Sequence, residues 1–314
     1  MNLHEDATAF NELAAIASQA IGIPTSAVKR DYFMVIMLQK LAKSPYAKNT
    51  VFKGSTSLSK CYPGSIRRFS EDIDLTYIPE GDESDKHIAR SLENIESIMS
   101  SEAYLEKIPQ ERNKRNKSAF VLFGNTSPTQ DRIKLEIGSR VRPEPYSVMS
   151  LKTYIHDFLT NTHQVEVIKQ YELESVSINT LRIERTFLDK VMAVKRHAIC
   201  GTLPAKVRHI YDVAVLYPRK DIQRFLEDGD NLKHLLRLVK ETDTFYLQKR
   251  NISDEYNPDT AYNFETWRNR LDNKIRSRYE KLHEELLYTD EKQSLNAAIK
   301  VFEALNALFK SIGE

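Results

Sequence analysis

The sequence predicts an α+β lobe, a small mixed sheet flanked by helices, followed by an all-helical lobe. Three observations carry that reading. Short runs with period-two alternation, above all Asp72-Ile73-Asp74-Leu75-Thr76-Tyr77, belong to the first part of the chain. From Leu181 the apolar spacing turns helical and stays so almost to the end, broken at Gly201–Pro204, Pro218, Gly229 and the polar Asn251–Asp259 stretch. A length of 314 residues also exceeds what one hydrophobic core commonly supports. Residues 1–180 and 181–314 are therefore expected to form separate lobes, the second completing an active-site cleft.

The elements follow in order. One helix covers about residues 3–20, and a second runs from Thr25, just after Pro24, to Lys43, where Ser44-Pro45 stops it. Thr50–Lys53 reads as a strand leading into a turn and helix over Gly54–Lys60, and Pro63-Gly64 as a turn. The Asp72–Tyr77 strand ends before Pro79, and a helix fills about 83–100. Ala119–Phe123 and Arg132–Arg140 read as paired strands around an Asn125–Gln130 turn, with Val165–Lys169 and Ser175–Ile178 as further strands. In the second lobe, Trp267, Leu271, Ile275 and Tyr279 recur every four residues, the buried stripe of one helix studded with Arg268, Arg270, Lys274, Arg276 and Arg278. The amphipathic run from Glu291 to Lys310 closes the bundle.

Composition excludes several classes. Hydrophobic residues make up 41%, enough for a core and too many for a disordered chain. The 46 Lys+Arg stand against 44 Asp+Glu, so this is not a histone-like basic protein, although a local basic patch stays open. Cys61 and Cys200 make neither a disulfide framework nor a metal-binding spacing. The Met1–Asp6 start lacks the basic residues and apolar run of a signal peptide, and the longest apolar stretch, Tyr32–Leu38, is too short to span a bilayer. A soluble cytoplasmic protein without membrane contact is expected.

Chemistry concentrates on the strand with two carboxylates. Alternation puts Asp72 and Asp74 on one face and Ile73, Leu75 and Tyr77 on the other, where they can pack on helices. Carboxylates at i and i+2, with Cα atoms roughly 6.6 Å apart, can share a hard cation such as Mg²⁺. An isolated Asp-x-Asp is more often a pair of solvated acids. Here Gly54-Ser55 opens a helix just upstream, where a glycine permits close backbone approach and free N–H groups meet phosphate. The combination favours a metal-and-phosphate site. Further along, five cations (Lys190, Lys195, Arg196, Lys206 and Arg208) lie between Lys190 and His209 with no Asp or Glu among them. Such a run suits a polyanion, Arg196 and Arg208 included, although solvated helix faces give the same count. The basic segments Glu111–Ser118 and Arg268–Arg278 invite the same two readings, a solvated face or contact with a nucleic-acid backbone.

The segment Gly54-Ser55-Thr56-Ser57-Leu58-Ser59-Lys60, followed by Arg68-Phe69-Ser70-Glu71-Asp72-Ile73-Asp74-Leu75, resembles the signature of the AbiEii/MenT-type nucleotidyltransferase toxins of the polymerase-β-like superfamily. Arg185–Arg196 and Lys206–Val213 resemble the second half of that family's site, with Lys190 and Asp212 at the matching positions. His209 departs from the pattern, standing where the family often has a second acid. The resemblance implies a nucleotidyltransferase core in which Asp72 and Asp74 hold Mg²⁺, while Gly54, Ser55, Ser70 and Lys190 meet the phosphates of an NTP. Asp212 orients Lys190 or the nucleotide. Glu136 matches the third acid of the wider superfamily, as metal ligand or general base. The resemblance also implies a bacterial toxin held by a cognate antitoxin and transferring a nucleotide to the 3′ end of tRNA. Two other readings remain: a small-molecule, antibiotic-type nucleotidyltransferase, and a non-catalytic nucleic-acid- or protein-binding module.

Overall fold

The computed structural model describes residues 1–123, 132–140, 142–247, 255–289 and 291–314, without the side chains of 245–247, 283 and 285. The chain divides into two compact units. One comprises Met1–Pro63 with Phe69–Leu181, the other Gly64–Arg68 with Arg182–Glu314.

Among the described residues seven strands make the sheet of the first unit: β1 (Thr50–Lys53), β2 (Asp72–Tyr77), β3 (Tyr104–Lys107), β4 (Asn116–Leu122), β5 (Arg132–Gly138), β6 (Tyr146–Leu151) and β7 (Val176–Leu181). Their order is β3-β4-β5-β2-β1-β7-β6. β1 is antiparallel to β2 and parallel to β7, β2 is parallel to β5, and the outer pairs are antiparallel. The helices are α1 (Ala7–Ile21), α2 (Thr25–Ala42), α3 (Gly54–Cys61), α4 (Asp85–Met99), α5 (Tyr154–Asn161) and α6 (Val165–Gln170). Asp6 caps α1 and Ser84 caps α4, each accepting a bond from the third helical residue, which is why these helices start where they do.

Period two decides which sheet face is buried. Ile73 and Leu75 of β2 lie with Leu135 and Ile137 of β5 in one core cluster, together with Met34, Leu38 and Leu41 of α2 and Leu92 and Ile95 of α4. Asp72, Asp74 and Glu136, at the alternate positions, are left on the opposite face.

The strand expected at Val165–Lys169 is helix α6. Its Val-Glu-Val start imitates alternation, but burial follows helical spacing: Val165 is exposed and Ile168 packs with Tyr171, Ile155 and Phe10. β3 and β6 were not expected at all, and both are edge strands with Tyr104, Tyr146 and Val148 exposed. The Asn125–Gln130 turn lies outside the described residues. The basic loop expected over Glu111–Ser118 is a turn as far as Arg115 and then enters β4, and Arg112, Arg115 and Lys117 pair with Glu96, Asp85 and Glu93 of α4.

The second unit contains α7 (Ile183–Ile199), α8 (Arg208–Leu216), α9 (Lys220–Glu227), α10 (Gly229–Leu247), α11 (Asn273–Glu285) and α12 (Leu295–Ser311). Gly64–Arg68 joins it through a bridge from Arg68 to Leu287, and Tyr288 N donates to Arg67 O at 3.2 Å. Trp267, Leu271, Ile275 and Tyr279 are buried as their spacing predicts, but not on one helix. Arg268–Arg270 is a separate 3₁₀ turn, and α11 starts afresh because Asp272 caps it through Ile275 N. Among the described residues no helix is long and apolar enough to cross a membrane.

Candidate active site

β1 runs without a loop into α3, and Gly54 makes the join. Its φ is +82°, in the left-handed region, and a Cβ built there would stand 2.2 Å from Asp74 Oδ2. Both facts favour glycine, since any side chain there is strained and pushes the Asp74 carboxylate aside. The register explains the closeness, since Lys53 pairs with Asp74 across the β1–β2 ladder. The Asp74 carboxylate is therefore packed on the backbone at the N-terminus of α3, where N–H groups lack helical acceptors.

Thr56, wholly buried on α3, reinforces this junction. Its hydroxyl donates to the Asp72 carbonyl and shares a 2.8 Å hydrogen bond with Ser70. Ser57 donates to Gly54 O at 2.9 Å. The motif lysine, Lys60, is buried and pairs at 2.5 Å with Asp31 of α2, which also accepts from Tyr154 N. It pins α3 to its neighbours rather than meeting a ligand. One hydroxyl thus ties Ser70 to the start of the carboxylate strand, a role for Thr56 that the sequence reading missed.

β5 brings two more charged groups to the same face. Asp72 stands in register with Lys134 and Asp74 with Glu136. Lys134 Nζ lies 2.5 Å from Glu136 and 2.9 Å from Glu111. Burial alone would lower the lysine pKa, but its bonds to Glu136 and Glu111 prevail and hold the ammonium charged well above its usual range. Glu136 is thus engaged by Lys134, and among the described residues no three His, Cys, Asp or Glu side chains gather in a group that could hold a metal ion. Asp74 is the carboxylate at the Gly54 junction, and Asp72 shares its face of β2.

In the second unit the structure brings Lys190 and Asp212 together. Asp212 is fully buried on α8; Arg68 Nε and Nη2 grip its two oxygens at 2.7 Å each, and Lys190 Nζ lies 2.8 Å from Oδ2. Burial would raise the Asp212 pKa, but the charges and hydrogen bonds of Arg68 and Lys190 overcome it and hold the carboxyl well below the usual range. Arg68 lies in the resemblance segment, but only its fork around a buried acid reveals a function for it. One helical turn before Asp212, the His209 ring faces His197 at 6.3 Å, and its Nδ1 is buried without a partner. Burial, then the Lys190 charge, pushes its pKa well below that of free histidine, so the imidazole is neutral.

The remaining cations of the run separate. Arg196 is paired with Asp243, which also accepts from Tyr256 Oη at 2.6 Å. Lys195 is buried and donates to Thr260 O and Ala261 O at 3.0 and 3.3 Å. Arg208, the first residue of α8, and Lys206 make no ion pair among the described residues. Lys195 and Arg196 are structural ties, while Arg208 stays available to a ligand.

A glycine-initiated helix set against a strand with two alternate aspartates can offer backbone N–H groups to phosphate and two carboxylates to a hard cation. The family model described as "Nucleotidyl transferase AbiEii toxin, Type IV TA system" matches residues 36–303, and the chain belongs to that family. It is accordingly a nucleotidyltransferase, the toxin component of a type IV toxin–antitoxin system, with an NTP as substrate and an antitoxin as counterpart. Among solved structures, MenT4, a nucleotidyltransferase toxin from Mycobacterium tuberculosis H37Rv, shares the fold with a TM-score of 0.51, at 17% identity over 95% of this chain and 97% of that one. No curated protein matches the sequence.

Proposed function

We propose that the protein transfers a nucleotide from an NTP to the 3′-terminal hydroxyl of tRNA in the cytoplasm, with Mg²⁺ dependence. The observation that carries this reading is the Gly54–Asp74 junction, where a carboxylate is held against the N-terminus of a helix with no room for a Cβ. Two aspartates suit Mg²⁺, which binds through one or two carboxylates and completes its shell with water and phosphate oxygens. Asp72 and Asp74 would hold the ion, which when bound neutralises triphosphate charge and favours in-line attack. The α3 N–H groups and Ser55 take phosphate oxygens, and Ser70, set by Thr56, adds a hydroxyl. Lys190 and Arg208 supply positive charge to the triphosphate, and Asp212 orients Lys190. The acceptor hydroxyl gives up its proton to solvent as its oxygen bonds to the α-phosphorus and the bond to pyrophosphate breaks. Glu136 contributes through Lys134 rather than as a third metal ligand.

Each α-labelled NTP, offered with total tRNA and with small hydroxylated acceptors, tests the reading. Label at the tRNA 3′ end, abolished by EDTA and by Asp74→Asn and restored by Mg²⁺, is expected. Label appearing only on a small acceptor would overturn the tRNA assignment and favour the antibiotic-type activity.

A further inference from the structure

The first unit contains a cavity of about 260 Å³ between α1, α2 and the ends of β4 and β5. Its floor is Phe10, Phe33, Phe123 and Ile133, with Phe33 and Phe123 stacked 4.3 Å apart. Its rim carries Lys29, Arg30 and Lys40 against one acid, Glu102. None of these residues has a role in the site described above.

Two connections run from this cavity to the carboxylate strand. Arg30 is ion-paired with Glu71, the residue immediately before Asp72. Ile133 precedes Lys134, the register partner of Asp72. The cavity therefore opens at the N-terminal ends of β2 and β5, on the sheet face opposite Asp72 and its register partner Lys134. Its lining joins aromatic rings to an excess of cations, the pairing that binds an unstacked base and its phosphate. A cavity of about 150 Å³ accepts benzene, so this one suits a fused ring. His4 adds a polar edge. Its Nδ1 is taken by the Tyr32 hydroxyl at 2.8 Å, while Nε2 has no partner among the described residues.

We infer that this cavity binds one unpaired base of the RNA acceptor strand, with Lys29 and Lys40 meeting the adjoining phosphates, while the strand turns past the N-terminal ends of β2 and β5 to bring its 3′ end to Asp72 and Asp74 on the other sheet face. The inference rests on the proposed RNA acceptor for its biological sense, but not for its test. Lys29 is now held by Asn11 and Lys40 by Glu102 and Ser101 O, exposed contacts that a phosphate can replace at small cost.

The full-length protein is tested without NTP against a fluorescein-labelled single-stranded RNA hexamer, and against the same hexamer carrying 4-thiouridine next to its 3′ end. Ala7→Trp fills the cavity mouth from the exposed start of α1 without removing a core side chain, and Lys40→Glu reverses a rim charge. Each substitution should weaken hexamer binding roughly 10- to 100-fold, the worth of one base stack, with thermal stability unchanged. Photocrosslinks should fall on peptides containing Phe10 or Phe33. Where transfer to RNA is measurable, Ala7→Trp should raise KM for the RNA and leave KM for the NTP unchanged. Undiminished binding by both variants, crosslinks confined to other segments, or labelling of the cavity by an azido-NTP alone would each overturn the inference. An unaltered RNA KM in a protein that still labels tRNA would overturn the cavity and leave the proposed function standing. Hexamer binding lost in Ala7→Trp, from a protein that labels only small acceptors, would do the reverse.

Discussion

Substituting Gly54 by alanine isolates the junction on which the catalytic reading rests. Two costs add there. An L-residue at φ +82° costs about 1–2 kcal/mol in backbone strain. Separately, the new Cβ would overlap Asp74 Oδ2 at 2.2 Å, so the carboxylate must move by roughly 1 Å to regain contact distance. Misplacement on that scale costs on the order of 100-fold in rate. Gly64 supplies the control: its φ is +74°, but a Cβ there meets nothing within 4 Å. Both alanine variants should therefore lose about 1–2 kcal/mol in urea denaturation, and only Gly54→Ala should lose activity. The assay is kcat/KM for the NTP at saturating acceptor, run beside the unfolding curves. A Gly54→Ala enzyme with wild-type kcat/KM, or a Gly64→Ala enzyme equally impaired in catalysis, would refute the argument that Asp74 is positioned by the absent side chain.

Other consequences follow from the second unit. Asp212→Ala leaves Arg68 and Lys190 buried without their acid and should cost about 3–5 kcal/mol, read by chemical denaturation. Because the folded Asp212 pKa is depressed, its stabilisation is complete above the unfolded value near 4 and is lost as pH falls toward the folded one, so Asp212→Asn should lack that acid limb. Lys195 acts oppositely: its folded pKa, lowered to about 8 first by burial and then by Lys240, lies under its unfolded value. The unfolded chain binds the extra proton between roughly 8 and 10.4, so stability from this group rises with pH there. Cys61, its thiol pushed up to about 11 by burial, works against that rise, and the slope belonging to Lys195 is the difference between wild type and Lys195→Met. Arg196→Ala should destabilise by about 3 kcal/mol because Asp243 is left buried without its cation. Arg208→Ala should change stability by less than about 0.5 kcal/mol while raising KM for the NTP.

Legibility followed burial. β2 and α3 could be read because one face of each is buried and a period results; β3 and β6 could not, since an edge strand with Tyr104, Tyr146 and Val148 in solvent imposes none. Val165–Lys169 failed for a related reason: five residues are too few to separate a period of two from one of 3.6 when only Ile168 is buried. At the candidate site, the acids at i and i+2 and the helix-initiating glycine were visible as local spacing. The destinations of the cations were not. Arg196 meets an acid 47 positions away, and Arg68 one 144 positions away, so counting unopposed charges along the chain does not separate a tie from a ligand.

The same reasoning assigns value to the Arg68–Asp212–Lys190 group. Apolar side chains of equal volume would stabilise the helices as well or better, because desolvating three charges costs about as much as their attraction returns. What such a group adds is direction. Asp212 Oδ1 is given to Arg68 Nε, while Oδ2 is shared between Arg68 Nη2 and Lys190 Nζ, so the arginine fork fixes the carboxylate plane and the carboxylate fixes the ammonium. The three groups sum to +1 in a place where water is excluded and a charge acts with little screening. That is the sign a triphosphate requires, and it is invisible in a chain whose total is +2. Lysine at position 68 would keep the charge and lose the fork, so Arg68→Lys should raise KM for the NTP more than it lowers stability; the opposite ranking would make the group a structural clasp and nothing more.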